Sequence, residues 1–350
     1  MLPRLISTIL LCCILIGCTI PPSPPSLPSS LPVLHILNRE TSIDHALLVQ
    51  FTAETGVDIA YHTYRSSEEA YNLLTTSKQG YDLIIVSDEL AERLRREQRL
   101  AVLNHERITH LNNIDPVFAR SSIDPGYRFC VPYLWRIVGL GYRYSAIGRE
   151  IESLAAAFDL AQIKRMALID DARVSLGLVL IMLGYSPNTS DPVAIGAARD
   201  WLLTVRPYIQ YLAANDGQDM LQQDRVDIVV EWSGDLLQVA RTDDNLRFAI
   251  PQEGSLFTVD SMCIPTGSAQ QAAAEQFIDF ILDAENGAAL ANTTRYGTPN
   301  QAAWPLLDAE LQAQIQHQQT LEQRGLLFRL IDVDPAVREL YRAAWIEVRQ

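Results

Sequence analysis

Two aspartates beside aromatic residues in apolar segments are the residues of this chain best suited to binding chemistry. Asp235 follows Trp232 by three positions, and Asp260 follows Phe257 by three positions. A carboxylate buried alone is unfavourable, so it needs a cationic partner or several hydrogen-bond donors. If that partner is a small cation, an adjacent aromatic face adds cation–π attraction. The alternative is that Asp235 is a solvated helix-start residue and Asp260 a structural salt-bridge partner.

The residue pattern gives little support for catalysis or for a metal centre. The six histidines are scattered, and neither a His-x-x-His pair nor a Gly-x-Ser-x-Gly motif is present. The adjacent pair Asp170-Asp171 resembles an acid and a base, but neighbours at a strand end point to opposite sides. We therefore expect no enzymatic activity, no cofactor and no bound metal.

Composition and charge are those of a soluble globular protein with room for two lobes. The chain has 350 residues, of which 48% are hydrophobic and 20% charged, and its formal net charge is −14. A strongly acidic protein repels nucleic acid and attracts small cations. The sequence therefore favours a cationic small-molecule ligand over a nucleic-acid partner.

The N-terminus has the pattern of an export signal followed by a linker. Arg4 precedes a short apolar run at 6–16, which is too short to cross a bilayer. The segment Leu-Ile-Gly-Cys ending at Cys18 resembles the bacterial lipobox, which implies a signal peptide at 1–17 and a lipid-anchored Cys18. A Pro/Ser-rich spacer at 18–32 would then hold the globular part away from the membrane. The alternative is an uncleaved apolar N-terminus with incidental cysteines.

Cys130 and Cys263 are the cysteines that remain beyond the N-terminal region. No Cys-x-x-Cys motif is present, so we do not predict a redox or metal site from them. In an oxidising compartment they can form a disulfide, and otherwise they are expected to be small buried hydrophobic residues.

From residue 33 onward, apolar strand-like runs alternate with amphipathic helical patterns, which predicts an α/β fold with largely parallel strands. Ser87 lies where a strand gives way to a helix, the usual place of ligands in open α/β sheets. The predicted strands are 33–37, 57–64, 81–86, 128–134, 137–142, 166–169 and 227–230. The predicted helices are 44–55, 66–74, 90–98, 174–183, 191–202, 236–240, 271–282 and 335–348.

A series of short motifs, in order along the chain, resembles the spermidine/putrescine-binding proteins of bacterial ABC importers. Their order and spacing make the match far more specific than any single motif. The motifs are QFTAETGV at 50–57, YDLII at 81–85, VPYLW at 131–135, DDAR at 170–173, LGYS at 183–186, NTSDP at 188–192, WSGD at 232–235 and YGTPN at 296–300.

The resemblance implies a bilobal, type II periplasmic-binding-protein-like fold, in which two α/β lobes are joined by two hinge crossovers. Lobe one would comprise 33–137 and 258–303, and lobe two 138–257 and 304–350. The ligand would lie between the lobes, which close on it by hinge motion.

In this family, acidic residues bind ammonium groups and aromatic side chains line the methylene chain. Carried across by position, Asp171, Asp235 and Asp260 are expected to accept ammonium groups, and Trp232 is expected to form an aromatic wall. Tyr296 and Ser87 match family positions with lesser roles.

The chain also departs from the family pattern at several expected pocket positions, so the ligand is less certain than the fold. Arg39 and Ser42 replace an aromatic-rich segment, and an Arg in the cleft repels a dication unless Glu40 or Glu89 neutralises it. Such an Arg would suit a ligand with both an amine and a carboxylate. The other differing positions are Glu89, Val174, Thr258 and Arg329.

The sequence therefore predicts a monomeric extracytoplasmic lipoprotein that captures a polyamine and delivers it to ABC permease and ATPase subunits. One alternative is the same fold binding another cationic or zwitterionic, amino-acid-like metabolite. A second alternative is a ligand sensor that signals to a membrane receptor.

Overall fold

Strands and helices alternate along the chain, as the hydrophobic pattern predicts. The computed structural model describes residues 33–76, 80–121, 124–161 and 164–350. The predicted signal peptide, the lipidation site Cys18 and the spacer lie outside these residues. The strands are β1 (Val33–Arg39), β2 (Asp58–Tyr64), β3 (Leu83–Ser87), β4 (Cys130–Arg143), β5 (Met166–Ile169), β6 (Ile209–Ala213), β7 (Ile228–Trp232), β8 (Leu246–Ala249), β9 (Ser255–Cys263) and β10 (Leu327–Arg329).

The α-helices cover most of the remaining described residues. In those residues, no helix is both long and apolar enough to cross a membrane. The helices are α1 (His45–Thr55), α2 (Ser67–Thr76), α3 (Asp88–Arg96), α4 (Pro116–Ser121), α5 (Tyr144–Ile147), α6 (Leu154–Ala161), α7 (Ala172–Met182), α8 (Pro192–Val205), α9 (Gly217–Gln222), α10 (Ser233–Ala240), α11 (Gln271–Leu282), α12 (Ala284–Thr294), α13 (Ala309–Gln323) and α14 (Pro335–Arg349).

The strands of the described residues form one sheet in the order β2-β1-β3-β9-β4-β7-β5-β6. Strands β1, β2 and β3 are parallel and form the first parallel group, and β5, β6 and β7 form the second parallel group. The two strands between these groups, β4 and β9, run antiparallel to each other and to β7 and β3, while the short strand β10 pairs with β9 in parallel. The sheet therefore consists of two α/β units linked through β4 and β9.

Strand β4 connects the two parallel groups without a break. Two separate strands, 128–134 and 137–142, were predicted here, but the structure has one strand of 14 residues, Cys130–Arg143. Its first part pairs with β9, and its last residues pair with β7 and β8. The strand is continuous because Arg136, the charged residue between the predicted runs, is buried and ion-paired inside the sheet.

Local capping explains where the first helix begins and ends. The side chain of Asp44 accepts a hydrogen bond from the backbone N–H of Ala46, which is a helix N-cap. Gly56 ends the helix in the left-handed region, with φ of 68°, where a β-carbon would be strained. This helix matches the prediction for residues 44–55.

Cys130 and Cys263 form a disulfide between β4 and β9. They are paired directly across the two antiparallel strands, with their Cα atoms 4.4 Å apart. Of the two alternatives that the sequence left open, the structure therefore has the disulfide, and both residues are also buried.

Candidate functional site: a charged cleft between two parallel strand groups

Side chains from both parallel groups converge beside β4 and β9. Arg39 is the last residue of β1, Trp232 is the last residue of β7, and Asp260 lies in β9. Asp235 lies in the first turn of α10, directly after β7. Since strands of both groups end here, the site occupies the position at which ligands bind in α/β sheets.

Asp260 is neutralised by an arginine of the chain itself. Arg136 Nη2 lies 3.0 Å from Asp260 Oδ1, and both side chains are 1% exposed. The Arg136 guanidinium also lies 4.2 Å from the centroid of the Trp232 ring, within the range of cation–π attraction. In this structure, the carboxylate and the aromatic face predicted to bind an ammonium group thus both contact Arg136.

Arg39 is a second buried cation near the same aromatic ring. Its guanidinium carbon lies 5.1 Å from the Tyr64 ring centroid and 6.0 Å from the Trp232 ring centroid. Its Nη1 donates to the backbone oxygen of Arg65 at 3.0 Å. Burial lowers the pKa of Arg39, but Tyr64 and the carboxylate of Asp260 raise it above its ordinary value. Arg39 is therefore charged.

The two acids that the sequence offered as partners for Arg39 pair with other arginines. Glu89 Oε1 lies 3.1 Å from Arg173 Nη1, and Glu40 Oε2 lies 3.7 Å from Arg65 Nε. Arg39 therefore remains a positive charge in the cleft.

Asp235 presents a buried carboxylate whose hydrogen-bonding capacity is unused. The residue is 1% exposed, and neither oxygen accepts a hydrogen bond of ordinary geometry from the described residues. Burial raises the pKa of this carboxyl, and the nearby hydroxyls of Thr41 and Tyr296 offset part of the rise. An acceptor of this kind is suited to a ligand that brings its own donors and positive charge.

Glu231 is a further buried acid next to Asp235. It is fully buried at the end of β7, and its Oε1 accepts a hydrogen bond of 3.0 Å from the backbone N–H of Trp232. Burial and the charge of Asp235 raise the pKa of Glu231 to about 8. Glu231 is therefore mostly protonated at neutral pH.

A second cluster joins the N-terminus of α7 to α3. Asp171 caps α7, because its Oδ1 accepts hydrogen bonds from the backbone N–H groups of Arg173 and Val174 at 2.9 and 3.1 Å. Arg173 bonds to Glu89 and also donates to Asn188 Oδ1 at 2.8 Å. Asp171 and Glu89 are thus both close to Arg173.

Asp88 and Arg329 form an ion pair beside this cluster. Arg329 Nε donates to Asp88 Oδ2 at 2.7 Å, and the Asp88 side chain is 4% exposed. Burial raises the pKa of Asp88 to about 6, although Arg329 opposes the rise. Ser87, the preceding residue, is paired with Asp260 across β3 and β9, and its Oγ lies 3.5 Å from Ser67 Oγ.

Asp235 lines an open cavity of about 280 Å³, and Trp232 is not among the lining residues. Five parts of the chain contribute to the wall of the cavity: the segment after β1, the residue after β2, the loop between β6 and α9, α9 itself, and α10. In the described residues, no group of three or more His, Cys, Asp or Glu side chains is placed to hold a metal ion. The lining residues are Glu40, Thr41, Arg65, Ala214, Asn215, Asp216, Gln218, Asp219, Asp235, Gln238 and Val239.

The structure brings most of the predicted site residues together in two clusters. Only Asp235, however, borders the open cavity. One cluster contains Arg39, Trp232, Asp235, Asp260 and Tyr296, with Ser87 paired opposite Asp260, and the other contains Asp171 and Glu89.

Several important residues were missed by reasoning from the sequence. Arg136 and Glu231 are charged residues inside apolar strand segments, and that pattern is the signal by which they could have been found. Arg173 stands within the DDAR motif, which was used for the resemblance and not for the site. The residues between β6 and α9 contain no sequence pattern that would have identified them as part of the site.

Comparison with known proteins identifies the class to which this fold and cleft belong. Residues 46–319 match the family described as bacterial extracellular solute-binding protein. The spermidine/putrescine-binding periplasmic protein of Salmonella typhimurium is 31% identical over 280 residues, which cover 79% of this chain and 80% of the relative.

Solved structures give the same result for the fold. A solved structure from Listeria monocytogenes aligns with a TM-score of 0.85 and 28% sequence identity. The alignment covers 91% of this chain and 99% of the Listeria chain. The spermidine/putrescine ABC transporter substrate-binding protein PotD of Streptococcus pneumoniae has a TM-score of 0.77 and 32% identity, with coverage of 91% and 98%.

The fold is therefore the predicted bilobal type II binding-protein fold, with two α/β lobes joined by crossovers. The chain belongs to the bacterial extracellular solute-binding protein family, whose members capture solutes outside the cytoplasm.

Proposed function

We propose that this protein captures a polyamine in the cleft between its lobes and delivers it to an ABC importer. The buried carboxylate of Asp235 is the observation that carries the proposal, because it borders an open cavity and accepts no hydrogen bond of ordinary geometry from the described residues. An ammonium group of the ligand would supply both the charge and the donors that this carboxylate lacks. The relatives named for spermidine and putrescine support the same ligand class.

The energetics of one such contact are sufficient for useful affinity. A hydrogen bond to a charged group contributes about 1.5–3 kcal/mol, and removing a buried acceptor from water without a partner costs a similar amount. Two or three such contacts with aromatic packing are enough for roughly micromolar binding. The ligand would therefore satisfy a carboxylate to which the described residues donate no hydrogen bond of ordinary geometry.

The arrangement of the strands supports the proposed division into lobes. Lobe one would contain 33–137 and 258–303, and lobe two 138–257 and 304–350. The strand pairing of β4 changes from β9 to β7 at the first of these boundaries. The segment 304–350 is divided between the lobes: Leu311 of α13 belongs to the apolar cluster of Trp135 in lobe one, whereas Tyr341 of α14 donates a hydrogen bond to the backbone oxygen of Pro187 in lobe two.

The remaining features of the proposal follow from the family and from the sequence of the N-terminus. The protein would be exported by a signal peptide at 1–17 and anchored by lipid on Cys18, with 18–32 as spacer. It would act as a monomer without catalytic activity, and its partners would be the permease and ATPase subunits of an importer.

Isothermal titration tests the proposed ligand class directly. The protein is titrated with putrescine, spermidine and a set of amino acids, and saturable binding of a polyamine is expected. Asp235→Asn should weaken that binding by about tenfold or more, because the ligand loses a charged acceptor. Asp159→Asn, an exposed position on α6, is the matched control and should bind as the wild type does.

A zwitterionic ligand is the second candidate, and the two arginines near Trp232 favour it. Arg39 Nε and Arg136 Nη1 are buried and make no hydrogen bond within the described residues. A ligand carboxylate would satisfy these donors while its amine bonds to Asp235. Saturable binding of an amino acid, with no binding of any polyamine, would select this candidate and reject the first.

A further inference from the structure

Arg136 lies where an ammonium group of the ligand was expected. Asp260 and Trp232 are the acid and the aromatic wall that the sequence assigns to such a group. Arg136 Nη2 lies 3.0 Å from Asp260 Oδ1, and the guanidinium lies 4.2 Å from the Trp232 ring centroid. A side chain of the protein itself therefore makes both the ionic contact and the cation–π contact of that group.

The strand register explains how Arg136 reaches Asp260. Arg136 on β4 lies directly opposite Thr258 on β9, and Asp260 follows Thr258 by two residues on the same face of the sheet. Diagonal neighbours of this kind are within reach of a long side chain. Thr258 is buried, and it is one of the positions at which the chain departs from the family pattern. Because the side chain of Thr258 is short, it leaves room for Arg136 to cross to Asp260.

The buried charges in this part of the cleft are already balanced. Arg39 and Arg136 supply two positive charges, and both side chains are buried. Asp235 and Asp260 supply at most two negative charges. Glu231, whose pKa is raised to about 8, is mostly protonated at neutral pH. A ligand with two ammonium groups would thus bring two positive charges to a buried group of residues without net negative charge, which is unfavourable.

The unused donors of the two arginines favour an oxygen acceptor in the ligand. Arg136 Nε and Nη1 and Arg39 Nε are buried and make no hydrogen bond within the described residues. The two guanidiniums lie 4.2 and 6.0 Å from the centroid of the same Trp232 ring, so these donors belong to one part of the cleft. Buried donors are normally satisfied. A carbonyl or carboxylate oxygen would satisfy them, whereas an ammonium group offers only donors.

We propose that Arg136 is a built-in replacement for one ammonium group of the ligand and determines which amines the protein accepts. The solute would be a primary amine whose other end carries an oxygen acceptor, as in a mono-N-acylated diamine or an ω-amino acid. Its single ammonium group would bind Asp235, and its oxygen would accept hydrogen bonds from the arginines. This inference rests on the proposed function, because it specifies the ligand for the same cleft and gives Asp235 the same role.

Titration of the wild-type protein with three amines of similar length tests this inference. The better of N-acetylputrescine and 4-aminobutanoate should bind about tenfold more tightly than putrescine, because its oxygen satisfies donors that a second ammonium group leaves unsatisfied. The tighter of the two identifies the acceptor as an amide oxygen or a carboxylate. Putrescine binding as tightly as the better of them, or more tightly, overturns the inference.

Arg136→Gln tests the same assignment by changing the protein. Without the guanidinium, Asp260 and Trp232 become free to bind an ammonium group, so putrescine affinity should rise by about tenfold. The double variant Arg136→Gln, Asp260→Asn should lose this gain, because the charged acceptor is removed. Arg143→Gln, at the last residue of the same strand and ion-paired with Asp224, is the matched control and should keep the wild-type order of affinities.

Thermal unfolding checks whether Arg136→Gln folds, since the change leaves Asp260 without its counter-charge. A ligand that binds only the folded state raises the unfolding midpoint, so putrescine should raise the midpoint of this variant more than that of the wild type. If the variant does not fold, the wild-type titration decides alone.

The outcomes separate this inference from the proposed function. Unchanged putrescine affinity in folded Arg136→Gln overturns the role of Arg136 and leaves polyamine binding intact. Binding of 4-aminobutanoate, but of neither putrescine nor its acetylated form, supports the inference and rejects a polyamine as the ligand. Absence of binding for every amine overturns both proposals.

Discussion

Arg173 at the start of α7 and Glu89 in α3 form an ion pair, with Nη1 and Oε1 3.1 Å apart. The two helices follow strands of different parallel groups, so this pair connects the first parallel group to the second. Asp171, which caps the same helix, holds the backbone from which Arg173 extends. We therefore propose that the pair stabilises a closed arrangement of the two lobes.

Glu89→Gln should open the cleft in the absence of ligand. The substitution leaves the largely buried Arg173 without its charged partner, so the closed state loses stability relative to the open state. Small-angle X-ray scattering is expected to give a larger radius of gyration than for the wild type. Glu92→Gln, which breaks a pair with Arg95 inside α3, is the control. Identical scattering from all three proteins would contradict a role of the Arg173–Glu89 pair in closure.

Asp260→Asn and Arg136→Met should each destabilise the fold strongly. Each single change leaves the other member of a pair that is 1% exposed without its counter-charge, which costs about 3–5 kcal/mol. The double variant should lose less than the sum of the single losses, because no unpaired charge remains. Urea unfolding of the four proteins measures this coupling. Additive losses would show that the pair does not act as a unit.

Glu231→Gln should change how stability depends on pH. The carboxyl ionises near its ordinary value of 4.5 in the unfolded chain but only near about 8 in the folded protein. Between these values the unfolded state binds fewer protons, so Glu231 makes stability fall as pH rises, by up to about 1.4 kcal/mol per pH unit.

The test for Glu231 compares urea unfolding of wild type and Glu231→Gln at pH 5 and pH 8. The variant should gain stability relative to the wild type as pH rises. Asp88, whose pKa is raised to about 6, also makes stability fall as pH rises. Because Asp88 is present in both proteins, its contribution cancels in the difference between their stabilities. A constant difference between pH 5 and pH 8 would show that Glu231 ionises normally.

Removal of the disulfide by Cys130→Ala with Cys263→Ala should lower stability by about 2–4 kcal/mol. The bond closes a loop with a sequence separation of 133, and cross-links over long loops restrict the unfolded chain most. The midpoint of thermal unfolding is expected to fall, and a reductant should lower the wild-type midpoint toward that of the variant. A variant as stable as the oxidised wild type would contradict this contribution.

Elements with a strong hydrophobic pattern or clear end signals were predictable from the sequence. The structure has β5 and α11 within the predicted bounds, and α1 begins after Asp44 and ends at Gly56 as predicted. Helices α12 and α13 were missed. The first follows α11 with only the cap Asp283 between them, and the second is rich in Gln and has little apolar periodicity.

The residues of the site could be predicted from the sequence only where a residue type has one common role in ligand binding. The clustering of Asp235, Asp260 and Trp232 followed from the motifs, but the partner of Asp260 did not. Arg136 lies 124 residues from Asp260 along the chain, and only the pairing of β4 with β9 brings them together. Likewise, the cavity at Asn215 depends on how α9 packs beside α10, which local sequence does not specify.

The guanidinium of Arg136 over the indole of Trp232 gives the protein an intrinsic optical reporter. Tryptophan emission responds to nearby charge and to solvent, so a solute that displaces this arginine, or shifts it relative to the ring, would change the fluorescence of the unlabelled protein. Ligand screening could then be done in a cuvette, with Trp232→Phe identifying which of the five tryptophans produces the signal.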